Sequence, residues 1–144
     1  MKTWTGRLLS LVIVVLVALA GCTQGTTNQD PAAASGTWVL ESFGGTRELQ
    51  PADPGVTTRL TLKDGTATGT GGVNTFTGTY QIAADGTLTF GQIASTAMAG
   101  SGEAMAQESA FFAALASTKH FEITDGKLVF SDNGNSTLVV LVRG

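Results

Sequence analysis

Cys22 is the single cysteine in a chain of 144 residues, and it stands directly after an apolar run. Its neighbours Leu19, Ala20 and Gly21 complete the sequence Leu-Ala-Gly-Cys. Small residues at Ala20 and Gly21 let a chain lie extended in a peptidase cleft, and the thiol of Cys22 is a nucleophile able to accept a diacylglyceryl group. Cleavage before Cys22 would free an α-amine to be acylated in turn, with palmitate the expected chain. One acyl chain anchors only marginally, with K on the order of 10⁴ M⁻¹, whereas two or three hold a protein at a membrane. The spacing therefore predicts a lipobox, with lipidation at Cys22. With Cys22 so used, the exported chain has no thiol left for a disulfide or a thiolate metal site.

The other reactive side chains point to little chemistry. His120 is the only histidine and sits in the strand-like run Lys119-His120-Phe121-Glu122-Ile123. Alternation directs Phe121 and Ile123 one way and His120 the other, which reads as a surface imidazole. Glu122 is the only nearby candidate for a second metal ligand, too few for a site, so no metal is expected. Nucleophilic catalysis needs a nucleophile, a base and an orienting acid brought together. Ser95, Ser101 and Ser109 are available, but no Gly-x-Ser-x-Gly elbow surrounds them and one histidine would have to serve whichever was chosen. No catalytic residues and no cofactor-binding residues are assigned. The cluster Gly69-Thr70-Gly71-Gly72 lacks the Lys-Ser/Thr of a phosphate loop and reads as a strand bulge or a close approach of backbones. Glu108 falls among Met105, Phe111, Phe112 and Leu115 at helical spacing. A carboxylate there needs hydrogen-bond partners, which backbone N–H groups of a turn near Asn74 or Thr96 would supply, and lining a pocket is the alternative.

These residues are set in a chain of three parts. Met1–Arg7 carries Lys2 and Arg7 and no acid, and Leu8–Leu19 is an apolar run of about 12 residues interrupted only by Ser10, shorter than the ~20 of a spanning helix. Residues 1–21 read as a signal peptide. Its removal would shift the formal charge from −3 to −5, because two cations leave and no acid does. An acidic domain with scattered charges gives no footprint for nucleic acid and no polybasic patch for anionic lipid. Membrane contact is expected through the anchor. Residues 22–35, small and polar, read as the lipidated N-terminus and a flexible tether. Residues 36–144 read as one β-rich, monomeric domain.

Within it, Asp64-Gly65, Asp85-Gly86, Asp125-Gly126 and Asn133-Gly134 suit tight hairpins of type I′. Leu60 and Leu62, Tyr80 and Ile82, Leu88 and Phe90, Phe121 and Ile123, and Leu128 and Phe130 alternate around them as half-buried strands do. Leu138–Val142 is apolar on both faces, which predicts a central or covered strand. The exception is Glu103–Ala116, rich in alanine and free of Gly and Pro. Ser101 stands before it as N-cap and Glu103 lies in its first turn, so it reads as a helix packed on the sheet's open face or mouth. The expected fold is mainly β, an antiparallel meander of about eight strands curled into a small barrel or half-barrel with one packed α-helix over about 103–116.

The segment Gly69–Tyr80 (GTGGVNTFTGTY), then Ile93–Gly100 (IASTAMAG), then Glu108 with Phe112 and Leu115, resembles the META domain. Trp38–Ser42 and the closing strand are also similar, so the resemblance spans nearly the whole domain. That family includes a bacterial heat-inducible envelope protein and a trypanosomatid virulence-associated protein. The resemblance implies structural roles for Asn74 and Gly78 in shaping the turn between strands, for Thr96 and Met98 in the approach to the helix, and for Glu108 as a polar anchor on its inner side. Many members carry cysteines where Val73 and Gly100 stand here, which implies that these two positions are spatial neighbours whose bridge is lost in this chain. The resemblance implies no established reaction. The lipobox, the tether, the barrel-like pattern and the missing catalytic groups lead to the expectation of an envelope lipoprotein on the extracytoplasmic side of a bacterial membrane, with a non-enzymatic binding or interaction domain serving stress tolerance through an envelope protein partner. Two alternatives stand beside it: a carrier of a small apolar ligand inside the barrel, and an inhibitor of an envelope-directed hydrolase that probes with the segment Gly44–Gly55.

Overall fold

The computed structural model describes residues 27–45 and 48–144. The elements are α1 (Pro31–Ala34), β1 (Gly36–Gly44), β2 (Leu49–Pro51), β3 (Arg59–Lys63), β4 (Thr66–Thr70), β5 (Thr75–Ile82), β6 (Leu88–Phe90), β7 (Ala94–Ser95), α2 (Gly102–Ser117), β8 (His120–Thr124), β9 (Lys127–Ser131) and β10 (Thr137–Arg143). Eight strands follow the order β6-β5-β4-β3-β1-β10-β9-β8, and every neighbouring pair is antiparallel. The two ends of that path meet. Leu88 N–H donates to the Lys119 carbonyl at 3.0 Å, and Phe121 N–H donates to that of Gly86 at 2.8 Å. The result is the expected small barrel, nearly closed. The short strands β2 and β7 lie off the path, on β1 and β5, and bring the strands to ten.

The hairpin turns separate by chemistry. At Asp64-Gly65 the φ angles are 49° and 77°, and at Asp125-Gly126 they are 52° and 75°, the paired left-handed conformation that type I′ requires. The other two differ from expectation. At Asp85-Gly86 only the glycine is left-handed, with φ 84°, and Gly86 N–H donates to the Ala83 carbonyl in a longer loop. In the last hairpin the left-handed residue is Asn135, φ 59°, and not Asn133 or Gly134. Asp132 decides this: its Oδ1 accepts from Gly134 N–H at 2.8 Å and Ser136 N–H at 2.9 Å, wrapping the turn one residue further along.

Trp38, Phe111, Phe121, Phe130, Leu60, Leu62, Leu88, Leu115, Leu128 and Leu141 are fully buried and fill the interior. Strand β10 is central, between β1 and β9, as its two apolar faces require. A register shift between Thr137 and Val139 turns both Leu138 and Val139 inward. Helix α2 exceeds the expected range by one residue at each end, and Ser101 Oγ accepts from Ala104 N–H at 3.2 Å as its cap.

The pairing registers assign the barrel two ends. The Asp64-Gly65, Ala83–Gly86 and Asp125-Gly126 turns and the last residues of β10 share the lower end. The segments 52–58, 71–74 and 132–136 share the upper end, where α2 enters. The lower mouth is closed by sequence read above as tether. Asp30 caps α1, Ala34 is 1% exposed, and the indole N–H of Trp38 donates to the Ala34 carbonyl at 2.8 Å. The Arg143 guanidinium lies 4.0 Å above the Trp38 ring and donates to the carbonyls of Ser35 at 2.8 Å and Ala33 at 2.6 Å. Asn28 and Ile123 exchange backbone hydrogen bonds of 2.9 and 2.7 Å. The packed domain thus begins at Asn28 and not at Gly36. Composition hid this because Ala34 is buried only under a tryptophan supplied later in the chain. Among the described residues no helix is long and apolar enough to cross a membrane. Residues 1–26, with Leu19, Ala20, Gly21 and Cys22, lie outside them.

Candidate functional site

The densest polar cluster lies at the upper end, where α2 meets the segment between β4 and β5. Glu108 is 4% exposed. Its Oε2 accepts from the backbone N–H groups of Val73 at 2.9 Å and Asn74 at 2.6 Å, and its Oε1 accepts from the Asn74 side-chain amide at 2.7 Å. Asn74 is the hub. Its Nδ2 also donates to the Met98 carbonyl at 3.1 Å, while its Oδ1 accepts from Met98 N–H at 2.7 Å and the Thr96 hydroxyl at 2.8 Å. Both donors and both acceptors of the amide are therefore used. Of the residues with implied structural roles, Asn74, Thr96, Met98 and Glu108 come together here. Gly78 does not. It lies inside β5, away from the turn it was expected to shape, where an added Cβ would stand 2.5 Å from Ile93 Cδ1 and 3.0 Å from the Gln92 carbonyl oxygen.

Val73 and Gly100 flank this cluster and face each other: a Cβ built on Gly100 would collide with the Val73 side chain, 3.3 Å from its Cβ. The glycine run 69–72 is a place of close approach. A Cβ at Gly69 would meet the carbonyl oxygen of Arg59, and one at Gly71 would stand 2.5 Å from Glu108 Cγ.

Two participants are not evident from the periodicity. Gln107 is buried beside Glu108; its Oε1 accepts from Asp53 N–H at 2.8 Å and its Nε2 donates to Thr58 Oγ1 at 2.9 Å. Thr58 in turn donates to the Gly71 carbonyl at 2.6 Å. The adjacent polar pair Gln107-Glu108 in the middle of an alanine-rich helix was the available signal. Met105, placed above on the inner stripe, is instead 37% exposed, because Ala104, Gln107, Phe111 and Ala114 form the inner face.

Burial works against the charge of Glu108, but the side-chain N–H of Asn74 and the backbone N–H groups of Asn74 and Val73 outweigh it, holding the carboxyl below its ordinary 4.5. A depressed native value stabilises the fold above the unfolded-state value, and that contribution is lost as pH falls through the native one. The urea midpoint is expected to be level above about pH 5 as far as this group is concerned and to fall below it. Glu108→Gln should show a shallower fall; an identical acid profile would remove Glu108 from that role.

The remaining candidates stay apart. His120 is half-buried on β8, Ser95 and Ser109 are exposed, and Ser101 is occupied as a cap. Among the described residues no group of three or more His, Cys, Asp or Glu side chains is placed to hold a metal ion. Met98, Met105, Ser109 and Phe112 line an open groove beside the cluster. The barrel interior is occupied by the buried side chains of Trp38, Phe111, Phe121 and Phe130.

The family model of the META domain matches residues 31–143. The chain belongs to the META domain family. The match begins within α1, in keeping with the packed start described above. The META fold is also seen in solved structures. A protein from Burkholderia xenovorans, determined by NMR, superposes with a TM-score of 0.64 at 25% identity, over 81% of this chain and 90% of that one. A DUF4847 family protein from Bacteroides vulgatus, a crystal structure, superposes with a TM-score of 0.55 at 22% identity, over 77% of this chain and 94% of the other, and shares the fold alone. No curated protein matches the chain. In this META domain the cluster joins α2 to three loops, and its hydrogen-bonding groups are directed at one another.

Proposed function

We propose that this META domain protein is a lipid-anchored component of a bacterial envelope whose β domain acts as a non-enzymatic interaction module in envelope stress tolerance. One observation carries the non-enzymatic part. Asn74 and Glu108 spend their side-chain hydrogen-bonding groups on Val73, Thr96, Met98 and each other, which leaves none poised for a substrate. What the domain offers a partner is surface, with Met98 61% exposed at the groove it shares with Met105 and Phe112. Membership of the META family, which carries no established reaction, supports the same reading. The anchor is supported by the apolar run Leu8–Leu19 ending in Leu19-Ala20-Gly21-Cys22.

The test of the anchor is direct. The mature protein should begin at Cys22 and carry the mass of a diacylglyceryl group with or without a further acyl chain, and it should sediment with membranes. Cys22→Ala should lose that mass. A Cys22→Ala protein that still sediments with membranes after alkaline washing, or a wild-type protein with an unmodified Cys22 thiol, would end this reading.

A further inference from the structure

We propose that the lower end of the barrel faces the bilayer, close to its headgroup surface, and that the end capped by α2 is turned away; this rests on the lipid-anchor reading of Cys22. The direction follows from one pairing. Asn28 bridges Ile123 in antiparallel sense, so the chain preceding Asn28 leads toward Thr124 and the Asp125-Gly126 turn, at the lower end. The distance follows from chain length. Six peptide steps separate Cys22 from Asn28, a reach of about 20 Å at full extension. A tether running to Gly36 would reach more than twice as far and let the domain turn over.

The lower attachment does not readily lengthen by peeling. Residues 28–35 are pinned by Ile123, by the Trp38 indole and by the two hydrogen bonds from Arg143. Strand β1, with nine residues, covers about 30 Å along its own direction, so the two mouths stand at clearly different heights above a membrane. The lower turns carry Asp64, Asp85 and Asp125. Lys63 and Lys127 border the same turns, so charge is mixed there and the short connection is what imposes proximity. The groove of Met98, Met105 and Phe112 belongs to the other end and meets partners arriving from the aqueous side.

The experiment uses the full-length acylated protein in phosphatidylcholine vesicles that carry a nickel-chelating headgroup lipid. Nitroxide labels go on Ala84→Cys, in an exposed lower turn, and on Asn133→Cys, in an exposed upper one. The acyl mass of each preparation is confirmed first. Relaxation of the Ala84 label by headgroup nickel should be several-fold stronger than that of the Asn133 label. Insertion of ten Gly/Ser residues between Thr26 and Thr27 should bring the two toward equality. With acylation confirmed, equal or reversed relaxation in the parent protein overturns the orientation, and so does a contrast that survives the insertion. Preparations without the acyl mass overturn the lipid-anchor reading instead.

Discussion

Glu108→Ala is expected to lower the unfolding free energy by about 3–5 kcal/mol, a large share of the ~5–15 kcal/mol typical of a domain. The substitution removes one acceptor and strands three donors, the N–H groups of Val73 and Asn74 and one amide hydrogen of Asn74. Each buried donor left without a partner costs about 1–3 kcal/mol, offset in part wherever water enters. Asn74 then loses the contact that sets its orientation, and its bonds to Met98 and Thr96 loosen with it. Glu108→Gln should fall between the two. Its carbonyl oxygen can still accept from both backbone N–H groups, but its amide then opposes the amide of Asn74. Urea denaturation followed by fluorescence measures all three proteins, since Trp38 is buried and is the only tryptophan after residue 21. A Glu108→Ala midpoint corresponding to a loss below about 1 kcal/mol would show that the cluster does not hold the upper end together.

The paired substitution Val73→Cys, Gly100→Cys should act in the opposite direction. The Cβ separation of 3.3 Å is slightly under the ~3.5–4.5 Å of a disulfide, so a small relaxation suffices. The bridge would close a loop of 27 residues, for which chain entropy gives about 3.5 kcal/mol. In a domain of this size that corresponds to roughly 10–15 °C in Tm. The singles should not behave alike. Gly100→Cys alone forces a Cβ into the Val73 side chain and should destabilise, while Val73→Cys alone loses apolar volume. The oxidised pair should therefore exceed the sum of the singles, and reduction should abolish the gain. An oxidised pair with no rise in Tm, or two thiols that stay free under oxidant, would overturn the inference that these positions are partners in a bridge lost from this chain.

What could be read from the residues alone depended on whether a signal was local. Asp64-Gly65 and Asp125-Gly126 adopt the turn that their dipeptide favours, whereas Asp85-Gly86, the same pair in a longer loop, does not. Asn133-Gly134 is an equally suitable turn pair, but Asp132 competes with its own side chain and moves the left-handed residue to Asn135. The helix and its cap were legible for the same reason. Its inner face was not, because Gln107 is inside only to meet Asp53 and Thr58, about fifty residues upstream. Residues 28–35 show the limit most clearly. Their sequence is that of a linker, and what orders them is Trp38, Ile123 and Arg143. In the polar cluster Asn74 and Glu108 could be singled out, and a turn near Asn74 could be named as the carboxylate's partner. The closure of the asparagine's bonds on Met98 and Thr96 depends on a crossing that no local pattern encodes.

The pairing of β1 with β10 sets a condition on how the molecule is made. Trp38 lies opposite Arg143 and Val39 opposite Val142, so β1 gains its second neighbour only when β10 docks. A product cut short before Thr137 would keep β1 and β9 as open edges, bare of partners and attractive to other extended chains. Docking of β10 is thus the event that seals the sheet, and a copy without it presents a bare seam to proteases.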